Sequence, residues 1–392
     1  MSAPADVVVV GGGPAGAATA SLLADGGLSV TLLEKARFPR EKACAEYLSP
    51  GVVDVLERLG AGRALDALEP GRPRGMRLVS RSSSFLLTYP DGAAERRPLC
   101  VARPRFDQAL LELARQRGAR VVEGGRVLGA VVAGRRVVGV RTDRGEVAAG
   151  FVVAADGTYS AVARSLGLDR PPGWPRRLGL VARYRGVALG GAAEMHVGRA
   201  VYCGLAPLGD GTVNVGLVVP LAARPDGEPK ERYFERRLAD LPGVRAALRD
   251  ARRVTPVRGV GPLRRRVRRV DGPGFLLVGD AAGFLDPFTG EGIFRALRGA
   301  ELAAPAVARA LADPAGQPSG YTATRRREFG AKEALCWLVQ GFLLSQPLFG
   351  YALGRLDARP ALAATLAAAL GDYGPAAPTL RPGYLWSLLR PW

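Results

Sequence analysis

Histidine is almost missing: His196 is the only one in 392 residues. A Ser-His-Asp triad or a histidine-rich metal site is hard to build on that ground, no metal ligand set is predicted, and proton transfer falls to other groups. The four cysteines, Cys44, Cys100, Cys203 and Cys336, are widely spaced and include no C-x-x-C pair. That excludes a zinc ribbon and a disulfide framework, and the expected setting is a reducing cytoplasm. Internal repeats and low-complexity linkers are also absent. Acid is in short supply, with 36 Asp and Glu against 55 Lys and Arg, a net charge of +19 carried nearly all by arginine. Such a field attracts nucleic acid, anionic lipid or acidic substrates. The arginines are scattered, however, and no nucleic-acid module accompanies them, so no nucleic-acid partner is expected. A compositional bias toward Arg, Ala and Gly explains the excess equally well. Long apolar runs are rare. The first apolar segment reads as a buried strand rather than a cleavable leader. Residues 334–353 form one uncharged run of 20 residues, long enough to span a bilayer. Gln340, Ser345, Gln346 and Gly350 lower its hydropathy and Pro347 breaks it. It reads as a pair of buried helices, with a peripheral membrane contact as the alternative.

What is present is a chain longer than one typical domain, 48% hydrophobic and 23% charged. A sizeable core and two lobes, or a discontinuous domain with insertions, follow from those numbers. The organising stretch is 6–34. Residues 7–10 are four valines, a strand buried on both faces. Gly11, Gly13 and Gly16 then take the G-x-G-x-x-G spacing, with Pro14 and Ala15 between the last two. The first glycine permits the sharp turn, the second lets backbone approach a diphosphate, and the third lets the helix close on the strand. The helix N-terminus offers free N–H groups to phosphate. A second strand ends at Glu34, whose carboxylate suits ribose hydroxyls, with Lys35 beside it.

Along the rest of the chain, the spacing predicts helices over 50–60 and 103–117, a strand over 120–122, a hairpin over 127–141 and a buried strand over 151–155 that runs into Asp156 and Gly157. Residues 179–220 read as a separate antiparallel sheet, a wall facing substrate. An amphipathic helix is predicted over 229–248, a buried strand over 275–278 ending at Gly279 and Asp280, and a long helix over 292–311.

Three signals sit at strand ends in order, where ligands bind in an α/β sheet: GGGPAG with Glu34, ADG at 155–157, and GDAAGFLDPFTGEGI at 279–293. Together they resemble the flavoprotein superfamily with the para-hydroxybenzoate hydroxylase fold, and within it the geranylgeranyl-reductase-like branch, over roughly residues 6–311. The resemblance implies FAD. Asp280 would accept a ribityl hydroxyl, and residues 281–283 are small enough for backbone to approach. Pro287, Gly290 and Gly292 would lie against the flavin ring, with Gly279, Glu291 and Ile293 in the same cofactor-binding turn. The helix that follows turns its positive end toward the ring, which favours negative charge developing there. Asp156 and Gly157 would sit near the diphosphate. Arg103, opening an R-x-x-F-D helix, would contact the cofactor. Arg40, Lys42 and Cys44 match the loop by the ring. Cys44, Glu46 and Tyr47 are the candidates for chemistry, Glu46 and Tyr47 as proton sources. Plainer roles stay open: Asp156 capping the helix near Tyr159, Arg103 holding charge at a helix start, Cys44 as a small hydrophobe, Glu46 and Tyr47 as loop contacts. His196 is expected to face solvent or pack on the sheet.

The expected architecture is α/β (α+β mixed). A discontinuous Rossmann-like FAD-binding domain (1–75, 99–166 and 270–325) carries an inserted antiparallel β-sheet substrate domain (76–98 and 167–269). A helical C-terminal section, 326–392, covers the substrate site. The leading function is an FAD-dependent oxidoreductase reducing a carbon–carbon double bond of an apolar isoprenoid, lipid or polyketide-type substrate, with NAD(P)H as the electron donor. No second G-x-G-x-x-G marks a nicotinamide domain. The alternative is a flavin monooxygenase hydroxylating an aromatic or polyketide substrate; CGLAP at 203–207, where reductase relatives carry an aromatic-rich motif, leaves the substrate open. A halogenase is disfavoured, since W-x-W-x-I-P and a matching active-site lysine are missing. From another class, a basic membrane-surface protein with a vestigial nucleotide fold would be colourless when purified.

Overall fold

The computed structural model describes residues 5–225 and 227–390. Its first sheet is built around Ala5–Val10, which runs parallel between Val30–Glu34 and Gly145–Ala154, with Arg120–Glu123 beyond the former. The strand Gly145–Ala154 is shared. Its first half pairs antiparallel with Arg136–Thr142, and its last three residues pair parallel with Phe275–Leu277. Val7 to Val10 are at most 3% exposed, as a strand covered on both faces requires. Because successive side chains alternate, Val7 and Val9 join a core with Pro14–Asp25, Arg103–Gln116 and Gly292–Ala312. Val8 and Val10 join a second core with Val162, Ala281 and Ala282. Each such burial contributes about 1.5–3 kcal/mol at most. Gly11 lies at φ 99°, turning the chain out of the strand, and the Pro14–Asp25 helix begins with proline in its first turn, where a missing N–H costs nothing.

The second sheet runs in the order Arg252–Arg253, Arg177–Arg185, Thr212–Pro220, Val201–Pro207, Ala193–Gly198, Met76–Val79, Ser84–Leu87. It differs from the expected all-antiparallel sheet in one pair: Ala193–Gly198 and Met76–Val79 are parallel. These strands belong to separate excursions from the first sheet, so no hairpin sets their relative direction. The helix expected over 229–248 is two helices, Lys230–Ala239 and Pro242–Ala247, because Pro242 cannot continue the first. They cover one face of this sheet around Cys203, Leu217 and Tyr233. His196 is buried against the same helices, with a ring nitrogen 2.8 Å from Glu194 Oε2 and its ring under Gly243.

The C-terminal helices Tyr321–Leu343, Gln346–Asp357 and Pro360–Leu370 close over the other side, where Leu343, Phe349 and Leu353 pack with Leu78, Leu87, Tyr202 and Val218. The uncharged run at 334–353 is broken at Ser345, which caps the next helix through Leu348 N with Pro347 in its first turn. Among the described residues no helix is long and apolar enough to cross a membrane. A buried lysine fastens this section: Lys332 Nζ bonds Asp372 Oδ1 at 2.8 Å and the Ala369 and Leu370 carbonyls. Burial alone would lower Lys332, but Asp372 and Glu291 hold it above its ordinary value.

Candidate active site

Two helix N-termini converge on one cleft between the two sheets. Gly13, Pro14 and Ala15 bring the first, and Gly292, Ile293 and Ala296 the second. Both ends carry unpaired N–H groups and a positive dipole end. The remaining floor is Gly157, Thr158 and Asp280. Asp280 Oδ2 accepts from Thr158 Oγ1 at 3.3 Å and lies 3.9 Å from Lys42 Nζ. The roof is the second sheet, which presents Gly179, Val181, Met195, Tyr202, Gly204 and Val218. Tyr202 pairs with Val218 and Gly204 with Gly216 across adjacent strands, so one pleat face lines the cleft while Cys203 points into the helical core behind it. Burial pushes the Cys203 thiol up, leaving it an inert hydrophobe.

Around the glycine turn lies a second chamber lined by Gly11, Glu34, Lys35, Arg126, Asp156 and Tyr159 among others. Glu34 is buried, its Oε2 accepting from Gly12 N at 2.7 Å and its Oε1 from Ala36 N at 2.8 Å. Asp156 Oδ2 accepts from Ala161 N at 2.7 Å, so it does hold the start of a helix, Ala161–Ser165. Its Oδ1 is buried without a partner. The orphaned oxygen, the two helix ends and the paired chambers fit an extended dinucleotide. Burial raises Asp156 above 3.8, against hydrogen bonds from Ser160 and the Ala161 and Val162 amides. A carboxyl raised on folding contributes stability that is present below its unfolded value and lost as pH rises through the folded one. Asp156→Asn is therefore expected to gain stability over the parent on going from acid to neutral pH, read from thermal melts of flavin-free protein. Parallel melting curves would refute it.

The residues expected to act on a ring divide. Cys44 and Tyr47 line the cleft with Pro287, Gly290 and Gly292. Tyr47 lays its ring against Gly290 and shares a hydrogen bond with the Tyr89 hydroxyl at 2.7 Å; burial first, then the neighbouring phenol, push Tyr47 well up. Glu46 does not line the cleft. It is 2% exposed, at φ 57°, and its Oε2 accepts from Arg183 Nε at 2.9 Å while its Oε1 accepts from Arg103 N at 2.8 Å. A carboxylate locked as an acceptor by a guanidinium is not a proton source, which corrects that expectation. Glu291 is corrected likewise. Its side chain turns from the cleft to Arg295 at 3.0 Å and toward Lys332 at 4.0 Å. Arg103 lines the cleft, but its guanidinium is forked onto Asp107 at 2.7 and 2.8 Å, and Arg40 meets the same carboxylate at 3.1 Å. Lys35 is exposed at the rim of the second chamber.

Three side chains escaped the sequence reading: Arg183, Arg177 and Asp286 in its true role. Asp286 Oδ1 accepts from Tyr202 at 2.6 Å and Oδ2 from Arg177 at 2.7 Å, pinning the sheet to the flavin-signature turn. Alternating arginines in 177–185 were the available signal, and nothing in it says which carboxylate each will find.

The same architecture recurs in solved proteins. A flavin-dependent brominase superposes with a TM-score of 0.82 at 23% identity, covering 97% of this chain and 98% of that one, a likeness of fold alone. A geranylgeranyl bacteriochlorophyll reductase-like protein from Thermoplasma acidophilum gives 0.79 at 25% identity, covering 93% of this chain and 96% of that one. Among characterised sequences, a menaquinone reductase of Mycolicibacterium smegmatis is 31% identical over 78% of this chain and 76% of its own. A digeranylgeranylglycerophospholipid reductase of Methanothrix thermoacetophila is 30% identical over 82% of each. Residues 4–337 match the FAD binding domain family. With the cleft and its two helix ends already fitting a dinucleotide, the chain belongs to that FAD-binding family and is an FAD-dependent oxidoreductase.

Proposed function

We propose that this oxidoreductase reduces a carbon–carbon double bond in an apolar, isoprenoid-bearing substrate. The observation that carries the reading is a continuation of the cleft. Past Pro287 and Gly290 it opens into an apolar chamber walled by Met76, Leu78, Leu87, Met195, Leu205 and Phe288 among others. That lining suits a hydrocarbon and solvates a charged ligand poorly. The named relatives, a menaquinone reductase and a digeranylgeranylglycerophospholipid reductase, act on molecules with such chains.

FAD supplies the redox-active ring that stores and delivers hydride equivalents. Gly13 and the helix end at Pro14 would receive its diphosphate, Glu34 and Asp156 the adenosine side, and Asp280 the ribityl chain. Pro287, Gly290 and Gly292 would border the ring. Adding hydrogen across a double bond needs a proton as well as hydride. Tyr47 and Tyr89 both line the apolar chamber and share a hydrogen bond. Burial pushes both phenols up, so they hold their protons at the chamber wall, Tyr47 being the one that also lines the cleft. The Arg177–Asp286–Tyr202 cluster keeps that wall in register with the turn. NAD(P)H is the proposed electron donor.

The test is anaerobic. Flavin-loaded protein is reduced with NADPH, NADH or dithionite, then mixed with a menaquinone or a geranylgeranyl lipid. A product heavier by two hydrogens is expected, with Tyr47→Phe slowing its formation about tenfold or more while flavin stays bound. A product gaining oxygen, and only in air, would establish the hydroxylating alternative instead.

A further inference from the structure

Behind the flavin-signature turn lies another pocket, lined by eight arginines and a single carboxylate, Glu333. Residues 282–285 form one wall, and Phe284 belongs both to this pocket and to the cleft. Glu333 is already bonded to Arg295. Arg325, whose side chain is 15% exposed, has among the described residues only that same carboxylate within 4.0 Å, at 3.8 Å. Among the described residues Arg266, Arg268, Arg269 and Arg326 lie within 4.0 Å of no carboxylate. Arg264 stacks on Trp337 at 4.6 Å, and Trp337 stacks on Trp174 at 6.1 Å, the two indoles 38% and 52% exposed. Burial and then Arg295 lower Arg325, and burial and then Arg266 lower Arg264. These are cations crowded together without their counter-charge.

Scattered arginines on a basic chain are usually a solvated surface. Here they converge on a concavity, with one of them largely buried, beside the turn that borders the cleft. We infer that this pocket binds a diphosphate group, through the forks of Arg264, Arg268, Arg269 and Arg325. Guanidinium forks match phosphoryl oxygens two at a time. A diphosphate carries enough charge to bridge several forks, whereas a lone carboxylate satisfies one or two. The group has two sources in a reaction of this kind: the diphosphate of a nicotinamide dinucleotide donor, or the head of an isoprenoid diphosphate. The anion site stands on its own geometry, while its service to the cleft rests on the function proposed above.

The full flavin-loaded chain is titrated by calorimetry with inorganic pyrophosphate, NADPH and geranylgeranyl diphosphate. Arg325→Met is compared with the double change Arg268→Ser and Arg269→Ser, whose exposed side chains keep the fold out of the result. Pyrophosphate is expected to bind the parent and to bind the double variant at least about tenfold more weakly, about 1.4 kcal/mol. A parallel loss for NADPH alone identifies the donor, and for geranylgeranyl diphosphate alone the substrate. No pyrophosphate binding by the parent, equal binding by all three proteins, or no loss for either larger ligand overturns the inference. Dithionite-driven reduction of a diphosphate-free geranylgeranyl lipid is measured alongside, and its failure with pyrophosphate binding intact counts against the proposed reaction and not against the pocket.

Discussion

Gly16→Ala is expected to purify with little or no flavin and to melt earlier than the parent. A Cβ at this position would stand 1.8 Å from the Gly11 carbonyl oxygen and 3.2 Å from the Ala155 side chain. The first contact is with backbone, so no rotamer change relieves it and the Pro14–Asp25 helix must move off its strand. Overpacking of this kind costs about 1–3 kcal/mol, partly offset by the better helix propensity of alanine, about 1 kcal/mol. The larger effect is on the ligand, because the displaced helix carries the N–H groups aimed at the diphosphate. FAD affinity should fall at least about tenfold, read from the flavin absorbance of purified protein and from titration of apoprotein. Gly13→Ala is the control. Its Cβ would make only an ordinary contact, 3.5 Å from Arg40 Nη2, at φ −72° and ψ 179°. That variant should fold normally and lose affinity only because its methyl projects where the ligand passes. If Gly16→Ala kept full flavin, the close approach would have no bearing on the cofactor.

Arg103→Met is expected to be among the most destabilising single changes, by about 3–5 kcal/mol. Asp107 is fully buried, and Arg103 is 3% exposed. Removing the guanidinium leaves a buried carboxylate whose remaining ion partner is Arg40, on the loop beside the cleft. Burial would lower Arg103, but Asp107 and Cys44 raise it beyond its ordinary range, so the guanidinium stays charged. The double variant Arg103→Met with Asp107→Leu should recover part of the loss, since an apolar pair replaces a desolvated ion pair at little cost. A double-mutant cycle from chemical denaturation measures the coupling. The same variants separate two roles for Arg103. If it mainly holds the fold, stability falls and the flavin affinity of the folded fraction changes little. If it contacts the cofactor, affinity falls in the double variant as well, despite the recovered stability.

Much of the nucleotide half was legible in the sequence because its determinants are local. Four valines, a glycine spacing and a proline at the first helical turn fix backbone geometry within a few residues of themselves. Pro287, Gly290 and Gly292 were placed by the resemblance of the 279–293 turn to the flavoprotein superfamily, and they line the cleft. The break at Ser345–Pro347 was equally readable, because proline acts on its own turn.

Side-chain destinations were not. Glu46 looked free in a charged loop, and only the second sheet delivers Arg183 to it, 137 residues away in the chain. Glu291 sits between two cleft residues, yet the helix Tyr321–Leu343 draws it outward by bringing Lys332 behind it. Tyr202 and Cys203 are adjacent in sequence, and the register of the sheet decides that one meets the cleft and the other a dry core. The arginine-rich stretch 264–270 is part of a scattered excess in the sequence, and only the fold brings Arg325, Trp337 and the flavin-signature turn around it to close a pocket. The sequence by itself determined where the chain turns, which strands are buried on both faces and where a diphosphate can meet backbone, because those depend on φ, ψ and periodicity. Tertiary structure alone decided which charges are neutralised, which hydroxyls face the cleft and which arginines stay without a counter-charge, because a charged side chain takes whatever partner long-range packing places within reach.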